Sequence, residues 1–167
     1  QWRQRLASVM EWSATDKGTI PVIFLILTNI QYLTWGQYTL HRDDSARLIN
    51  VPVMLELTEM VTWMTAGAIA LLLFGLALRR KFPDMLPYQY VTTLYFALTL
   101  VISSHYIGSM ELSAGVVLLG GPVFGFIVLD RGVVWLAFLA SLLLLLVLSY
   151  LSATGALPYA PLMQPPA

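Results

Sequence analysis

The segment Val51–Leu78, with the sequence VPVMLELTEMVTWMTAGAIALLLFGLAL, decides the class of fold. It holds two acidic residues and no basic residue, and its apolar positions run on without alternation. A helix needs about 20 predominantly apolar residues to cross a hydrocarbon core of about 30 Å, so this segment can span a bilayer with some tilt. Because the run is continuous, it indicates a helix and not a strand of an outer-membrane barrel.

Four other stretches have the same character. They lie at 18–40, 87–107, 112–129 and 133–152. The composition agrees, since 58% of the residues are hydrophobic and only 11% are charged, whereas soluble domains have roughly 45–50% and 25%. The sequence therefore predicts an all-α, polytopic bundle of five transmembrane helices over 18–153. A polar, amphipathic segment at 1–17 precedes it, and a Pro-rich extracytoplasmic tail at 154–167 follows it.

Composition and motifs also exclude several classes of function. Nine basic residues balance nine acidic ones, which argues against nucleic-acid binding, because that requires a basic face. The chain has no cysteine, so it has no disulfide, zinc–thiolate site or cysteine nucleophile. It has no phosphate-binding loop, dinucleotide fingerprint or GxSxG elbow. We therefore predict no catalytic residue and no cofactor, and we do not expect this chain to be an enzyme by itself.

The basic residues predict how the chain is oriented. If the five spans alternate in direction, seven of the nine basic residues fall on one side: Arg3, Arg5, Lys17, Arg79, Arg80, Lys81 and Arg131. Arg42 and Arg47 fall on the other. The positive-inside rule then places the N-terminus in the cytoplasm and the Pro-rich tail outside. Either the protein ends outside, or it is longer and a sixth span follows; we favour the second alternative because the chain begins with Gln1 and not Met.

Ionisable side chains within apolar spans are costly, so they mark candidate binding residues. Glu56 and Glu59 lie three positions apart and share one face of the second span. His105, Tyr106 and Glu111 lie at the outer end of the third span. The predicted outer pocket consists of these five residues together with two aromatic walls, Trp35 and Tyr38.

The alternative interpretation of this set is hydration near the headgroups, with a glutamate paired to Arg47. Carboxylates could attract a cationic ligand, and an imidazole can titrate or bind a metal. A metal site is not predicted, however, because His41 and His105 are the only histidines and no HxxxH or HExxH spacing occurs.

Small residues in the fourth span predict a packing surface. Gly121 and Gly125 form a GxxxG pair, Gly115 adds to the same surface, and Pro122 interrupts the helix. Such residues allow helix backbones to approach closely, either within the bundle or between protomers. Pro122 could instead act as a hinge, because proline removes a backbone hydrogen bond.

Residues 105–162 resemble a known family. The run YIGSMELSAGVVLLGGPVFGFIVLDRGVVWLAFLASLLLLLVLSYLSATGALPYAPL is similar to the later part of the MASE-type N-terminal sensor domain of proteobacterial membrane diguanylate cyclases. The features that carry the resemblance are the Gly-rich fourth span, the DRG turn at 130–132 and the GALPYAPL segment at 155–162.

The resemblance implies a six-span input domain in the bacterial inner membrane. It also implies a homodimer and a cytoplasmic GGDEF domain that makes cyclic di-GMP from two GTP, although this chain itself has no GGDEF motif. We accordingly expect a sensory domain that contacts the lipid bilayer and perceives an unidentified small-molecule signal, either extracytoplasmic or membrane-borne. The alternatives are a small structural subunit of a membrane complex and, less favoured, a transporter or channel. A transporter would need polar residues through the whole membrane depth, and here they stop in the outer half apart from Asn29 and Gln31.

Overall fold

A computed structural model of the chain describes residues 11–42, 49–108 and 121–163. Its long helices are α1 (Ala14–Leu40), α2 (Val51–Leu78), α3 (Leu86–Ile107) and α4 (Arg131–Ala153). Residues 121–128 are also helical, and a short 3₁₀ turn covers Pro161–Met163. The described residues thus form an all-helical protein, as predicted.

Four helices are long and apolar enough to cross a membrane: α1, α2, α3 and α4. They correspond to the first, second, third and fifth predicted spans. The length and composition of these helices indicate a membrane protein. Of the fourth predicted span only 121–129 is described, and it is helical over 121–128. Glu111 and Gly115, two of the predicted site residues, lie outside the described residues.

Helices α1, α2 and α3 alternate in direction, α4 runs in the same direction as α3, and charged residues collect at one end of the bundle. Here α1 begins, α2 ends, and α3 and α4 begin. The amide of Thr15 donates to the carbonyl of Pro83 at 2.9 Å, and Arg79 forms a 2.8 Å ion pair with Asp16. The basic residues of this region are Lys17, Arg79, Arg80, Lys81 and Arg131. We call it the basic end.

Side chains on the flanking loops fix where α1 and α4 begin. The hydroxyl of Ser13 accepts a hydrogen bond from the amide of Asp16 at 3.2 Å, and the carboxylate of Asp130 accepts one from the amide of Gly132 at 2.8 Å. Both interactions satisfy amide groups that have no partner within the helix itself.

The other end of the bundle is closed by the segment that follows α4. Leu162, in the 3₁₀ turn, has no exposed surface and packs against Met54 and Leu57 of α2. Its carbonyl accepts a hydrogen bond from the amide of Asn50 at 3.0 Å. We call this end the Glu56 end, after the α2 carboxylate that lies there.

Two tyrosines of α3 lie against two glycines of α2. The hydroxyl of Tyr88 donates to the carbonyl of Leu71, and the hydroxyl of Tyr95 donates to the carbonyl of Met64, both at 2.9 Å. A Cβ atom added at Gly75 would overlap Tyr88, and one added at Gly67 would overlap Tyr95. The absence of side chains at these glycines therefore lets the tyrosines reach the α2 backbone.

Candidate functional site

A partly open apolar cavity of about 320 Å³ lies between the helices, in the half of the bundle toward the basic end. Residues from four helical segments surround it, namely the first half of α1, the middle of α3, the 121–128 helix and the first half of α4. Its walls include four phenylalanines: Phe24, Phe96, Phe124 and Phe138. We call it the inner cavity.

The inner cavity exists because small residues occupy positions where larger side chains would fill the space. Ala97, Gly121 and Ala137 line it from three different helical segments. A Cβ atom added at Gly121 would meet no atom of the described residues within 4 Å. Pro21 also lines the cavity and lies inside α1, where it removes one backbone hydrogen bond of that helix.

Two polar side chains of α3 are buried beside this space without a hydrogen-bond partner among the described residues. They are the Nε2 atom of Gln89 and the Oγ1 atom of Thr93. Gln89 is 1% exposed and Thr93 is 6% exposed. Since the two residues are four positions apart, they lie on one face of α3, one turn from each other.

A second, wider hollow adjoins the inner cavity at the basic end. It has a volume of about 600 Å³, and Val128 and Leu129 line both spaces. Gln89 lines the hollow, whereas Thr93 lines the inner cavity. Four charged residues also surround the hollow, namely Lys17, Asp84, Asp130 and Arg131. We call this hollow the mouth, because it places charged groups next to the apolar inner cavity, on the side of the basic end.

The structure brings only part of the predicted outer pocket together. The hydroxyl of Tyr106 donates to a carboxylate oxygen of Glu56 at 3.4 Å. His105 is 7% exposed, and its Nδ1 atom has no partner among the described residues. Glu59 is exposed on α2 and makes no contact of this kind within the described ranges.

The two predicted aromatic walls lie on α1. Trp35 is partly exposed and borders a niche of only about 10 Å³, beside Met54 and Thr58. A space of this size holds one water at most. Tyr38 is 62% exposed and carries the guanidinium of Arg42 at 5.5 Å from its ring centre. The described part of the Glu56 end thus offers single polar side chains, and the niche beside Trp35 is too small for a ligand.

The predicted packing residues occupy different positions. A Cβ added at Gly125 would lie 3.0 Å from Cγ2 of Val134, so this glycine allows close packing against α4 of the same chain. Among the described residues nothing lies against Gly121, and both Gly121 and Pro122 line the inner cavity. The role of these residues in a dimer stays a prediction.

Sequence reasoning did not single out Gln89 and Thr93. Their spacing of four places them on one helix face, but Thr92 lies three positions from Gln89 and fits the same rule, so spacing alone does not identify Thr93. The described residues also contain no group of three or more His, Asp or Glu side chains placed to hold a metal ion. In comparisons with known proteins, no family model, curated protein or solved structure matches the chain.

Proposed function

We propose that this chain is a membrane-embedded sensory domain that binds a membrane-borne signal in the inner cavity and controls a cytoplasmic output. The observation that supports this most directly is the inner cavity itself. Cavities with mainly apolar walls and a few polar groups are the usual form of small-molecule sites. A ligand of such a site would be drawn from the bilayer, since lipid surrounds the helices that form it.

The distribution of charge supports the cytoplasmic placement of the output. Among the described residues, five basic side chains lie at the basic end and one, Arg42, lies toward the Glu56 end. By the positive-inside rule the basic end then faces the cytoplasm. The inner cavity and its mouth would consequently lie in the leaflet next to the output domain.

The resemblance described above supplies the finer parts of the proposal. They are a bacterial inner-membrane location, a homodimer and a diguanylate cyclase as the output. The cavity favours a sensor over a channel, because channels are lined by polar groups or water along their path, whereas the walls of this cavity are almost entirely apolar.

A sensor must shift between two helix packings when the signal binds. Because the chain has no native cysteine, two introduced cysteines can carry spin labels without background. We would label Arg80→Cys near the end of α2 and Leu139→Cys on α4, two exposed positions. Distances between the labels would be measured by pulsed electron resonance, in synthetic zwitterionic bilayers and in bilayers that contain bacterial lipid extract.

The proposal predicts that lipid extract shifts the distance distribution of this pair. A matched pair, Ile30→Cys and Trp63→Cys, lies on exposed positions of α1 and α2 outside the cavity lining and should shift less. An identical distribution of the first pair in both bilayers would refute the sensory function.

A further inference from the structure

We propose that the inner cavity and its mouth bind an uncharged, single-chain amphiphile. Its hydrogen-bond-accepting head lies against Gln89 and Thr93, and its hydrocarbon chain fills the cavity. This inference rests on the proposed function, because it names the chemical class of the signal.

The hydroxyl of Thr93 differs from those of most helical threonines among the described residues. Six of them donate to the carbonyl four residues earlier on their own helix: Thr28, Thr34, Thr58, Thr62, Thr65 and Thr92. Such back-bonding is the ordinary way in which a threonine satisfies its hydroxyl inside a helix. Thr93 makes no hydrogen bond within the described residues, although its neighbour Thr92 does. Thr93 thus carries a buried hydroxyl without a partner and, as a residue, lines the inner cavity.

Gln89 supplies the second polar contact, closer to the mouth. Its Nε2 atom is a donor only, so a partner for it must be an acceptor oxygen. Thr93 can donate or accept, and it lies about 6 Å further along the axis of α3, since four residues each rise 1.5 Å. Buried polar groups are nearly always hydrogen-bonded in folded proteins. Gln89 lines the mouth, Thr93 lines the inner cavity, and both carry an unpartnered polar atom. Together they point to a ligand head with one or more acceptor oxygens.

The volume of the inner cavity sets the length of the chain. An apolar cavity of about 150 Å³ holds one benzene molecule. The inner cavity, at about 320 Å³, is roughly twice as large and therefore holds about twelve carbon atoms by the same measure. This corresponds to a single chain of medium length.

The charges around the mouth indicate an uncharged head. Lys17 and Arg131 contribute two positive charges, and Asp84 and Asp130 contribute two negative charges. The carboxylate of Asp130 also accepts the amide of Gly132 at 2.8 Å, and this contact holds it at the start of α4. The four formal charges of the mouth sum to zero, so neither a carboxylate nor an ammonium head is favoured by an excess of opposite charge there.

The test is direct binding to the whole chain in nanodiscs of zwitterionic lipid, with empty nanodiscs subtracted. The probe is tritiated 1-monododecanoylglycerol, which joins an uncharged ester head to a twelve-carbon chain. The competitors have the same chain length: dodecanoate, dodecyltrimethylammonium and dodecane. We expect saturable binding that unlabelled monododecanoylglycerol displaces at concentrations about tenfold lower than any of the three, a difference of about 1.4 kcal/mol.

Two variants and one matched control locate the site. The double variant Gln89→Leu/Thr93→Val should weaken binding roughly tenfold, because it removes both donors. The control, Thr92→Val, changes the adjacent buried threonine, whose hydroxyl bonds to its own helix, and should leave the affinity unchanged. Ala97→Phe should abolish binding by filling the inner cavity, and it keeps the test decisive if the double variant fails to fold.

The outcomes separate this inference from the proposed function. Equal or tighter competition by a charged amphiphile or by dodecane would overturn the uncharged, hydrogen-bonded head. Binding that survives Ala97→Phe, or no saturable binding at all, would overturn the site. If lipid extract still shifts the α2–α4 label distance while monododecanoylglycerol does not bind, the ligand class is wrong and the sensory function stands. If monododecanoylglycerol binds as expected and no bilayer shifts the distance, the site stands and the sensory function is wrong.

Discussion

Adding one methyl group at Gly75 tests how closely α2 and α3 are packed. The Cβ atom of Gly75→Ala would overlap the ring and hydroxyl of Tyr88. That ring has little room to move, because it is 3% exposed and Gly18 of α1 lies on it as well, where an added Cβ would come within 2.9 Å of its Cδ1 atom. The substitution should therefore displace Tyr88 and break its bond to the carbonyl of Leu71.

The expected change in the free energy of unfolding combines two destabilising contributions and one stabilising contribution. Overpacking costs about 1–3 kcal/mol, and an interhelical hydrogen bond in a membrane protein is worth about 0.6 kcal/mol. Replacing a helical glycine by alanine returns about 1 kcal/mol. We expect Gly75→Ala to lower the free energy of unfolding by about 0.5–2.5 kcal/mol, the sum of these terms.

Unfolding by SDS in mixed micelles, followed by circular dichroism, measures this change. The matched control is Gly121→Ala, whose added Cβ meets none of the described residues within 4 Å and which should be neutral or stabilising by up to about 1 kcal/mol. In a double-mutant cycle, Gly75→Ala should cost at least about 1 kcal/mol less in the Tyr88→Leu background than in the native chain. If Gly75→Ala is as stable as Gly121→Ala, or if the two α2–α3 substitutions are additive, then Tyr88 does not pack tightly against Gly75.

Three further substitutions test the ends of the bundle in the same unfolding assay. Leu162→Ala should destabilise by about 2–5 kcal/mol, because Leu162 is fully buried and its truncation leaves a cavity; a loss below about 0.5 kcal/mol would show that the 3₁₀ turn does not close this end. Asp16→Asn should lower the free energy of unfolding by no more than about 1 kcal/mol, since the side chain of its partner Arg79 is 61% exposed. If the loss at ~1 M salt, where screening is strong, equals the loss at low salt, the ion pair is not the cause. Tyr106→Phe should lower the free energy of unfolding by less than about 0.5 kcal/mol, because its 3.4 Å hydrogen bond to Glu56 is long and exposed. A larger loss would show that this contact of the predicted outer pocket stabilises the fold.

The sequence predicted the long helices well because their apolar runs are long and polar segments separate one run from the next. The bounds of α2, Val51–Leu78, agree with the prediction at both ends. The helix α1 begins four residues before the predicted span, at Ala14, because its first turn is polar and is capped by Ser13. Likewise α4 begins at Arg131, two residues early, because Asp130 caps it. Hydropathy measures which residues lipid accepts, whereas helix ends depend on side-chain hydrogen bonds.

The inner cavity could not be predicted in the same way. A cavity is space that several helices leave unfilled, so it depends on how Ala97, Gly121 and Ala137 are placed relative to one another across the bundle. A search of the sequence for ionisable residues pointed instead to Glu56 and Glu59, which are exposed near the start of α2. Carboxylates at a helix end can be hydrated, and their presence therefore carries less information than ionisable residues at mid-membrane depth.

The contrast between Thr92 and Thr93 shows what the tertiary structure adds. Both are buried threonines on α3, and their residue type and position in the sequence give no reason to treat them differently. The hydroxyl of Thr92 donates to the carbonyl of Tyr88 at 2.9 Å, whereas that of Thr93 lies beside the inner cavity without a partner among the described residues. A buried polar group inside a membrane protein must find a hydrogen-bond partner or incur a desolvation cost. The unpartnered hydroxyl of Thr93 beside the inner cavity, which only the tertiary structure reveals, therefore supports the proposed ligand site.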